Sequence, residues 1–304
     1  MAFDRLEAMR AFCRIVELGS FTRAAESLAV AKTTLSGQIL ALENQLGVKL
    51  LHRTTRRVSA TTDGTAYYQR ARILLDDVDE LEATIAQTRN IARGVVRVDM
   101  PSPVGRCLLI PALPSFVSQH PNIQLDIGCS ERVMNLVEEG IDCAIRGGEV
   151  NEPDLVCRPI GQMRFVLCAS PAYMEHAPPL NTPSDLLNHH FLAFVFPASN
   201  RQMKPALQRG DDQYVIEQTP TMRFNSGGAY IAAAQAGLGI VCVPTAEAQA
   251  LLETGELLQV LPEWTPLSMP MSIVYPYSRH LSARVRAFTQ WASATMSSSA
   301  LWGD

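Results

Sequence analysis

Apolar residues recur every three or four positions along the first 46 residues, interrupted where glycine or a small polar residue ends a run. Leu6, Met9, Cys13 and Val16 share one face of a helix predicted over residues 3 to 18, which Gly19 stops. Ser20 caps a second helix with a stripe of Phe21, Ala24, Ala25 and Leu28. After a turn at Ala29 to Ala31, Leu35, Ile39, Leu42 and Leu46 line a third helix that ends at Gly47. The alanine pair lets the second and third helices approach closely, so residues 20 to 47 read as a helix-turn-helix.

The period then changes. Residues 50 to 64, LLHRTTRRVSATTDG, are β-branched and basic and read as a two-stranded wing with Arg56 and Arg57 at its tip. From Thr65 to about Asn90 the chain is helical again, with Ala71, Leu74, Val78, Leu81 and Ile85 in a 3-4 alternation. So narrow a seam needs a partner helix, and it predicts a dimer.

Beyond Arg93-Gly94 apolar strands alternate with helices. Strands are predicted at 95 to 100, 123 to 129 and 141 to 147, with helices at 103 to 121 and 132 to 140 between them. A second series has strands at 164 to 170, 190 to 196, 219 to 225 and 239 to 244 and helices near 171 to 174, at 226 to 236 and into Leu252. Residues 270 to 276 return to the first sheet, and 281 to 296 form a closing helix. Mostly parallel sheets covered by helices, in two lobes with a cleft between them, are the expected result. The fold class is α/β with an all-α N-terminal part. The expected domains are 1–62 for the winged helix-turn-helix, 63–92 for the linker helix and 93–304 for the two-lobed part. Lobe I takes about 93–162 and 269–304, and lobe II about 163–268.

Composition narrows the function classes. The 304 residues are 47% hydrophobic and 18% charged, so neither a disordered nor a fibrous chain fits. Residues 1 to 62 carry nine Lys and Arg against five Asp and Glu, while the whole chain has a formal charge of −4. A basic head on an acidic body points to a polyanion partner for the head alone. Acids and bases mix through the first twenty residues, unlike a secretory signal, and no run reaches the length of a membrane span, so a cytoplasmic location is expected.

The seven cysteines are scattered singly, which fits neither a disulfide framework nor a zinc site; small buried hydrophobes are the simplest reading and a redox-sensing thiol the rival. His189 and His190 are adjacent rather than one helical turn apart, so no metal site is expected. There is no GxSxG elbow or GxxxxGK[ST] loop, and AGLGIV lacks phosphate-loop spacing, so no enzyme and no cofactor are expected.

The outward residues of the third helix do carry chemistry. With Leu35, Ile39 and Leu42 inward, Lys32, Thr33, Thr34, Ser36, Gly37 and Gln38 face outward or along a groove. Gln38 has the donor and acceptor pair that adenine presents to, threonine methyls suit the thymine methyl, and Lys32, Thr33 and Ser36 suit phosphates. Arg53, Arg56 and Arg57 supply charge from the wing. In the α/β part, ligands belong at the carboxyl ends of strands, where helix starts offer free N–H groups. Ser102, Pro103, Val104 and Gly105 make one such start, and Asn225, Ser226, Gly227 and Gly228 make the other. A carboxylate held between them is the natural guest, although Ser102 and Asn225 fit plain helix capping equally well. Ser130, Arg132 and Arg146 are further donors, Phe194 joins them from the strand at 190 to 196, and Arg146 equally suits an ion pair within its own lobe.

Residues 19 to 68, GSFTRAAESLAVAKTTLSGQILALENQLGVKLLHRTTRRVSATTDGTAYY, resemble the LysR-type transcriptional regulators, and the RTTRR wing resembles a large subgroup of them. The likeness continues through IDCAIRGGE (141 to 149), AGLGIVCVP (236 to 244) and YPYSRHLSARVRAFTQW (275 to 291). Ala31 and Thr33 stand where that family commonly has serines, and Gly37 where it often has an arginine. The resemblance implies a winged helix-turn-helix on promoter DNA, a dimerising linker helix, and a two-lobed effector domain similar to periplasmic solute-binding proteins. It also implies a homotetramer whose DNA bend responds to a small effector. The rivals are a thiol-responsive regulator of the same fold and a solute-binding protein with no DNA function.

Overall fold

In a computed structural model, residues 4–53, 58–85, 92–150, 152–197, 199–277 and 281–299 are described. The chain divides into two compact units, Met1–Gly94 with Val137–Gly140, and Val95–Leu136 with Ile141–Asp304.

The first unit opens with helix α1 (Arg5–Leu18), which Asp4 caps by accepting the Glu7 N–H, and which ends at Gly19 in the left-handed region. Helix α2 (Phe21–Ser27) is capped by Ser20. Helix α3 (Lys32–Leu46) starts at Ala31, which has no capping side chain. Strands β1 (Leu51–Arg53) and β2 (Val58–Ala60) pair antiparallel as the wing, and helix α4 (Thr62–Ile85) follows. Ala24, Ala25, Leu35, Ile39 and Leu42 are buried in one core, as their spacing predicts. On α1, Met9 and Cys13 are buried as predicted and Val16 packs against that core, while Leu6 is exposed and Phe12 and Ile15 widen the buried face. Phe12 meets Tyr67 of α4 edge-on at 5.4 Å. Ala71 and Leu75 of α4 are buried in this core, whereas Leu74 and Leu81 are 53% and 60% exposed. The predicted seam therefore splits, Ala71 packing inside the unit, Val78 half-buried, and Leu74 and Leu81 facing outward.

The junction of α3, β1 and α4 is closed by polar groups. Glu43, 2% exposed, accepts the Leu50 and Leu51 N–H groups and pairs with Lys49 at 2.9 Å. Thr61 donates its hydroxyl to the Lys49 carbonyl and its N–H to the Leu50 carbonyl. Gly64 lets the first turn of α4 lie against Leu50, where a methyl would run into the Leu50 carbonyl.

The second unit begins with strand β3 (Gly94–Met100), then a continuous helical stretch of α5 (Ser102–Val104), a π turn (Gly105–Leu109) and α6 (Ile110–Gln119). The π turn has a local cause. Ile110 donates to Gly105 rather than one residue later, and the next residue, Pro111, has no N–H and crowds the carbonyl four positions back. Strands β4 (Ile123–Cys129), β5 (Cys143–Gly147) and β6 (Leu155–Met163) follow.

The predicted helix at 132 to 140 is absent, and bends and turns occupy this segment. The Ser130 hydroxyl accepts the Arg132 N–H, and the Met134 carbonyl accepts from Arg146. The Ile141 N–H closes back on Leu136 past Gly140 in the left-handed region. Side chains and a closing turn have replaced the helical ladder.

Next come β7 (Phe165–Ala169), α7 (Pro171–His176), a 3-10 turn (Pro183–Asn188), β8 (Ala193–Phe194), and the hairpin β9 (Ala206–Arg209) and β10 (Asp212–Val215). Strand β11 (Arg223–Phe224), helix α8 (Gly227–Gln235), strand β12 (Val241–Pro244) and helix α9 (Thr245–Glu253) lead to β13 (Leu258–Gln259) and β14 (Thr265–Pro266). Strand β15 (Met269–Pro276) and helix α10 (Ala283–Ser297) complete the unit.

Lobe I is a sheet of order β4-β3-β5-β15-β6, in which β3 and β5 are parallel and β15 runs antiparallel to both its neighbours. Lobe II is built from the small sheets β12-β7-β13, β10-β9-β14 and β11-β8. The mostly parallel sheets expected from the sequence are thus mixed. The returning strand β15 reverses direction in the first lobe, and antiparallel pairs dominate the second. Strands 190 to 196 and 219 to 225 shorten to two-residue ladders.

Candidate DNA-binding face and effector cavity

Helix α3 shows Lys32, Thr33 and Thr34 fully to solvent, with Ser36 and Gln38 half-buried at the edges of the same face. Leu35, Ile39 and Leu42 anchor the opposite face, so the outward set is fixed by burial. With no side chain at Ala31 to cap them, the first N–H groups of α3 remain available to an anion. A side chain added at Gly37 would meet nothing within 4 Å. Arg53 ends β1 beside this helix in sequence, and Arg56 and Arg57 lie outside the described residues. Burial pushes the Glu43 carboxyl up, but Lys49 and the Leu50 and Leu51 N–H groups pull it down further, leaving it below 4.5. It stays ionised and holds β1 on α3.

In the second unit a cavity of about 140 Å³ opens at the carboxyl end of β3 and the start of α8. Of the predicted effector residues, Pro103, Ser130, Arg132, Arg146 and Phe194 line it. Val104 and Gly105 are instead buried inside lobe I, with Gly105 packed on Cys129 and Met100. Asn225 and Ser226 are exposed beside the cavity, and Ser226 makes no capping hydrogen bond. Ser102 is half-buried, its hydroxyl engaged with Glu131.

The walls are largely apolar, contributed by Met163, Phe165, Phe196, Met203, Val243 and Met269. Phe194 stands edge-on to Phe196 at 5.5 Å and tilted to Tyr230 at 5.9 Å. The Tyr230 hydroxyl donates to the Leu192 carbonyl and accepts the Cys242 N–H, and burial pushes its pKa far up. It supplies a ring to the cavity and no proton. Arg146 is 9% exposed, bonded to Asp99 at 2.8 Å and to the Met134 carbonyl at 2.8 Å, so the in-lobe ion pair is the reading that holds.

Two lining carboxylates escaped the sequence reading. A methyl on Gly227, the first residue of α8, would lie 3.5 Å from an oxygen of Glu131 and 3.5 Å from an oxygen of Glu247. The Glu247 side chain is 3% exposed and bonded to Arg106. Burial pushes the Glu131 carboxyl up, the Ser102 hydroxyl draws it down, and the Glu247 charge pushes it up again, for a net rise. The helix start that was to receive a carboxylate is therefore flanked by two of the chain's own carboxylates, one of them paired with Arg106. Glu131 sits between Ser130 and Arg132, two residues singled out as donors. The only available signal was its place in that loop.

Among the described residues no cluster of His, Cys, Asp and Glu could hold a metal ion, and no helix is long and apolar enough to cross a membrane. Cys143, Cys168 and Cys242 are buried, and burial pushes each thiol up, Cys168 to about 12. Cys107 and Cys129, nearer the surface, are also raised, first by burial and then by nearby carboxylates. These environments disfavour the reactive thiolate.

Residues 6–65 match the family described as "Bacterial regulatory helix-turn-helix protein, lysR family", and residues 89–297 match "LysR substrate binding domain". The HTH-type transcriptional repressor PA14_22550 of Pseudomonas aeruginosa is 38% identical over 95% of this chain and 91% of its own. The solved structure of CrgA, a LysR-type transcriptional regulator from Neisseria meningitidis, is 32% identical with a TM-score of 0.58, covering 95% of this chain and 97% of that one. That of the Vibrio cholerae virulence activator AphB is 25% identical with a TM-score of 0.58, covering 96% and 99%. With both matched regions in place and relatives spanning nearly its whole length, the chain belongs to the LysR family of transcriptional regulators.

Proposed function

We propose that this regulator reads promoter DNA through Lys32, Thr33, Thr34, Ser36 and Gln38, with Arg53, Arg56 and Arg57 gripping phosphates, and senses a small molecule in the cavity of its second unit. The observation that carries the DNA half is the burial pattern of α3, which leaves Lys32, Thr33 and Thr34 exposed and Ser36 and Gln38 half-buried while Leu35, Ile39 and Leu42 are buried. The cavity at the β3 and α8 ends carries the other half, and Pro103, Ser130, Arg132 and Phe194 are its assigned contacts. The working domains are 1–62, 63–92 and 93–304. The exposed Leu74 and Leu81 support pairing of linker helices between two chains, with a homotetramer as the form on DNA and the cytoplasm as its place. A ligand switch is preferred to a thiol switch because burial pushes the Cys107, Cys129 and Cys168 thiols up, away from the reactive thiolate.

The test is the salt dependence of binding to the promoter region beside its own gene. Counterion release predicts a steep linear fall of log affinity with log salt, and Lys32→Ala should lower that slope by about 1. Salt-independent affinity, or an unaltered slope in Lys32→Ala, would count decisively against this reading.

A further inference from the structure

The cavity has a ligand preference that its helix starts alone would not indicate. Its volume of about 140 Å³ is close to the roughly 150 Å³ apolar cavity that accommodates a benzene ring. Four aromatic residues, Phe165, Phe194, Phe196 and Tyr230, line it, and the π face of such a ring attracts cations. At one end stand Glu131 and Glu247, both beside Gly227, where an incoming anion would meet two like charges. Of the cations here, Arg146 is bonded to Asp99 and to the Met134 carbonyl, Arg106 is bonded to Glu247, and Arg132 lines the cavity beside Glu131. Glu247 meets Arg106 through one oxygen and turns the other toward Gly227. Apolar walls, aromatic faces and paired acceptors are three separate features, and all of them fit the same guest.

We propose that the cavity binds a small organic cation, a protonated amine on an aromatic or branched apolar body, with the ammonium between Glu131 and Glu247 and the body among the phenylalanines. This deepens, and rests on, the reading of the cavity as the effector site. The raised Glu131 carboxyl supports it independently, since an arriving ammonium relieves the crowding with Glu247 and favours the ionised form. Met163, Met203 and Met269 let the walls adapt to the body of the guest.

Three probes of similar size separate the possibilities by calorimetry on the full-length protein: 2-phenylethylamine, phenylacetate and 2-phenylethanol. The amine should bind about tenfold more tightly than either of the others. Glu131→Gln should weaken the amine about tenfold and leave the alcohol unchanged. Gly227→Ala gives a second variant that should fold, because its methyl makes ordinary contacts at 3.5 Å and alanine is the better helix former. It should block the ammonium end and abolish the amine preference. Preference for phenylacetate, or binding of none of the three, overturns the inference. If promoter binding persists in the same preparation, that failure leaves the regulator reading intact. Conversely, amine binding that leaves promoter affinity unchanged keeps the ligand class and removes the effector role.

Discussion

Glu43 in the first unit is buried and Glu131 in the second is half-buried, and their surroundings treat them in opposite ways. Around Glu43, Lys49 and two backbone N–H groups satisfy the charge, and the carboxyl falls below its usual range. Around Glu131 a single hydroxyl, from Ser102, works against burial and the Glu247 charge, and the carboxyl rises. The neighbouring glycines repeat the contrast. Gly64 is closed against the Leu50 carbonyl, whereas Gly227 has room for a methyl. One region is a finished joint that holds the wing on the recognition helix, and the other is left open at the rim of a cavity. A carboxylate whose needs are met locally serves the fold, and one left electrostatically crowded beside space has capacity for a partner.

The largest expected effect comes from closing the joint too far. In Gly64→Ala the new methyl has no room beside Leu50, and either α4 or β1 must shift. The cost should be about 3 kcal/mol, the upper range for overpacking. Hydrogen exchange at the Leu50 and Leu51 amides should accelerate and promoter affinity should drop. Normal exchange at both amides would show that the joint is looser than its contacts indicate.

Glu43→Gln tests the charge rather than the shape. It should cost about 1.5 kcal/mol at neutral pH, the scale of a hydrogen bond to a charged group. Because the folded carboxyl lies below 4.5, its stabilisation is present above that value and is lost as pH falls through the folded pKa. Amide exchange at Leu50 followed down through this window should therefore change in the wild type and stay flatter in Glu43→Gln. Equal pH profiles would break the contrast drawn with Glu131.

These two regions were not equally legible in the sequence. The core of the helix-turn-helix could be read from spacing because Ala24, Ala25, Leu35, Ile39 and Leu42 lie on short regular helices, whose burial follows the 3.6-residue period. On α1 the spacing places Met9 and Cys13 correctly but Leu6 is exposed and Phe12 and Ile15 join the core, since several apolar residues there fit more than one stripe. Strand β6 carries Pro159 and Gly161 within LVCRPIGQM, and the β9–β10 hairpin turns on Gly210 between mainly polar residues, so neither shows a clear alternation. The cavity was located by strand ends and helix starts, and half of its predicted residues do line it. Its sign was not legible. Asp99 neutralises Arg146 from 47 positions away, and Glu131 and Glu247 meet at Gly227 only once both lobes are folded. Search for donors to an anion also passes over acidic residues by construction.

The smallest expected effect is the one that bears most directly on the open region. Glu131→Gln keeps the shape of the side chain and removes one of two neighbouring negative charges, so it should stabilise the second unit by about 0.5 kcal/mol at neutral pH, the scale of a relieved like-charge contact. The sign follows from the raised carboxyl: the protonated form is the better fit to the fold, so its contribution is complete below 4.5 and is lost as pH rises through the folded pKa. The gain in Glu131→Gln should therefore appear above that pKa and vanish below 4.5. Urea denaturation read by tryptophan fluorescence suits the purpose, because Trp264 and Trp291 both lie in the second unit. Saturating the wild type with 2-phenylethylamine should narrow the neutral-pH difference or reverse it, since the ammonium then satisfies the charge that the substitution removes. A destabilised Glu131→Gln protein would place Glu131 with Glu43 as a structural carboxylate and would end the distinction between the two regions.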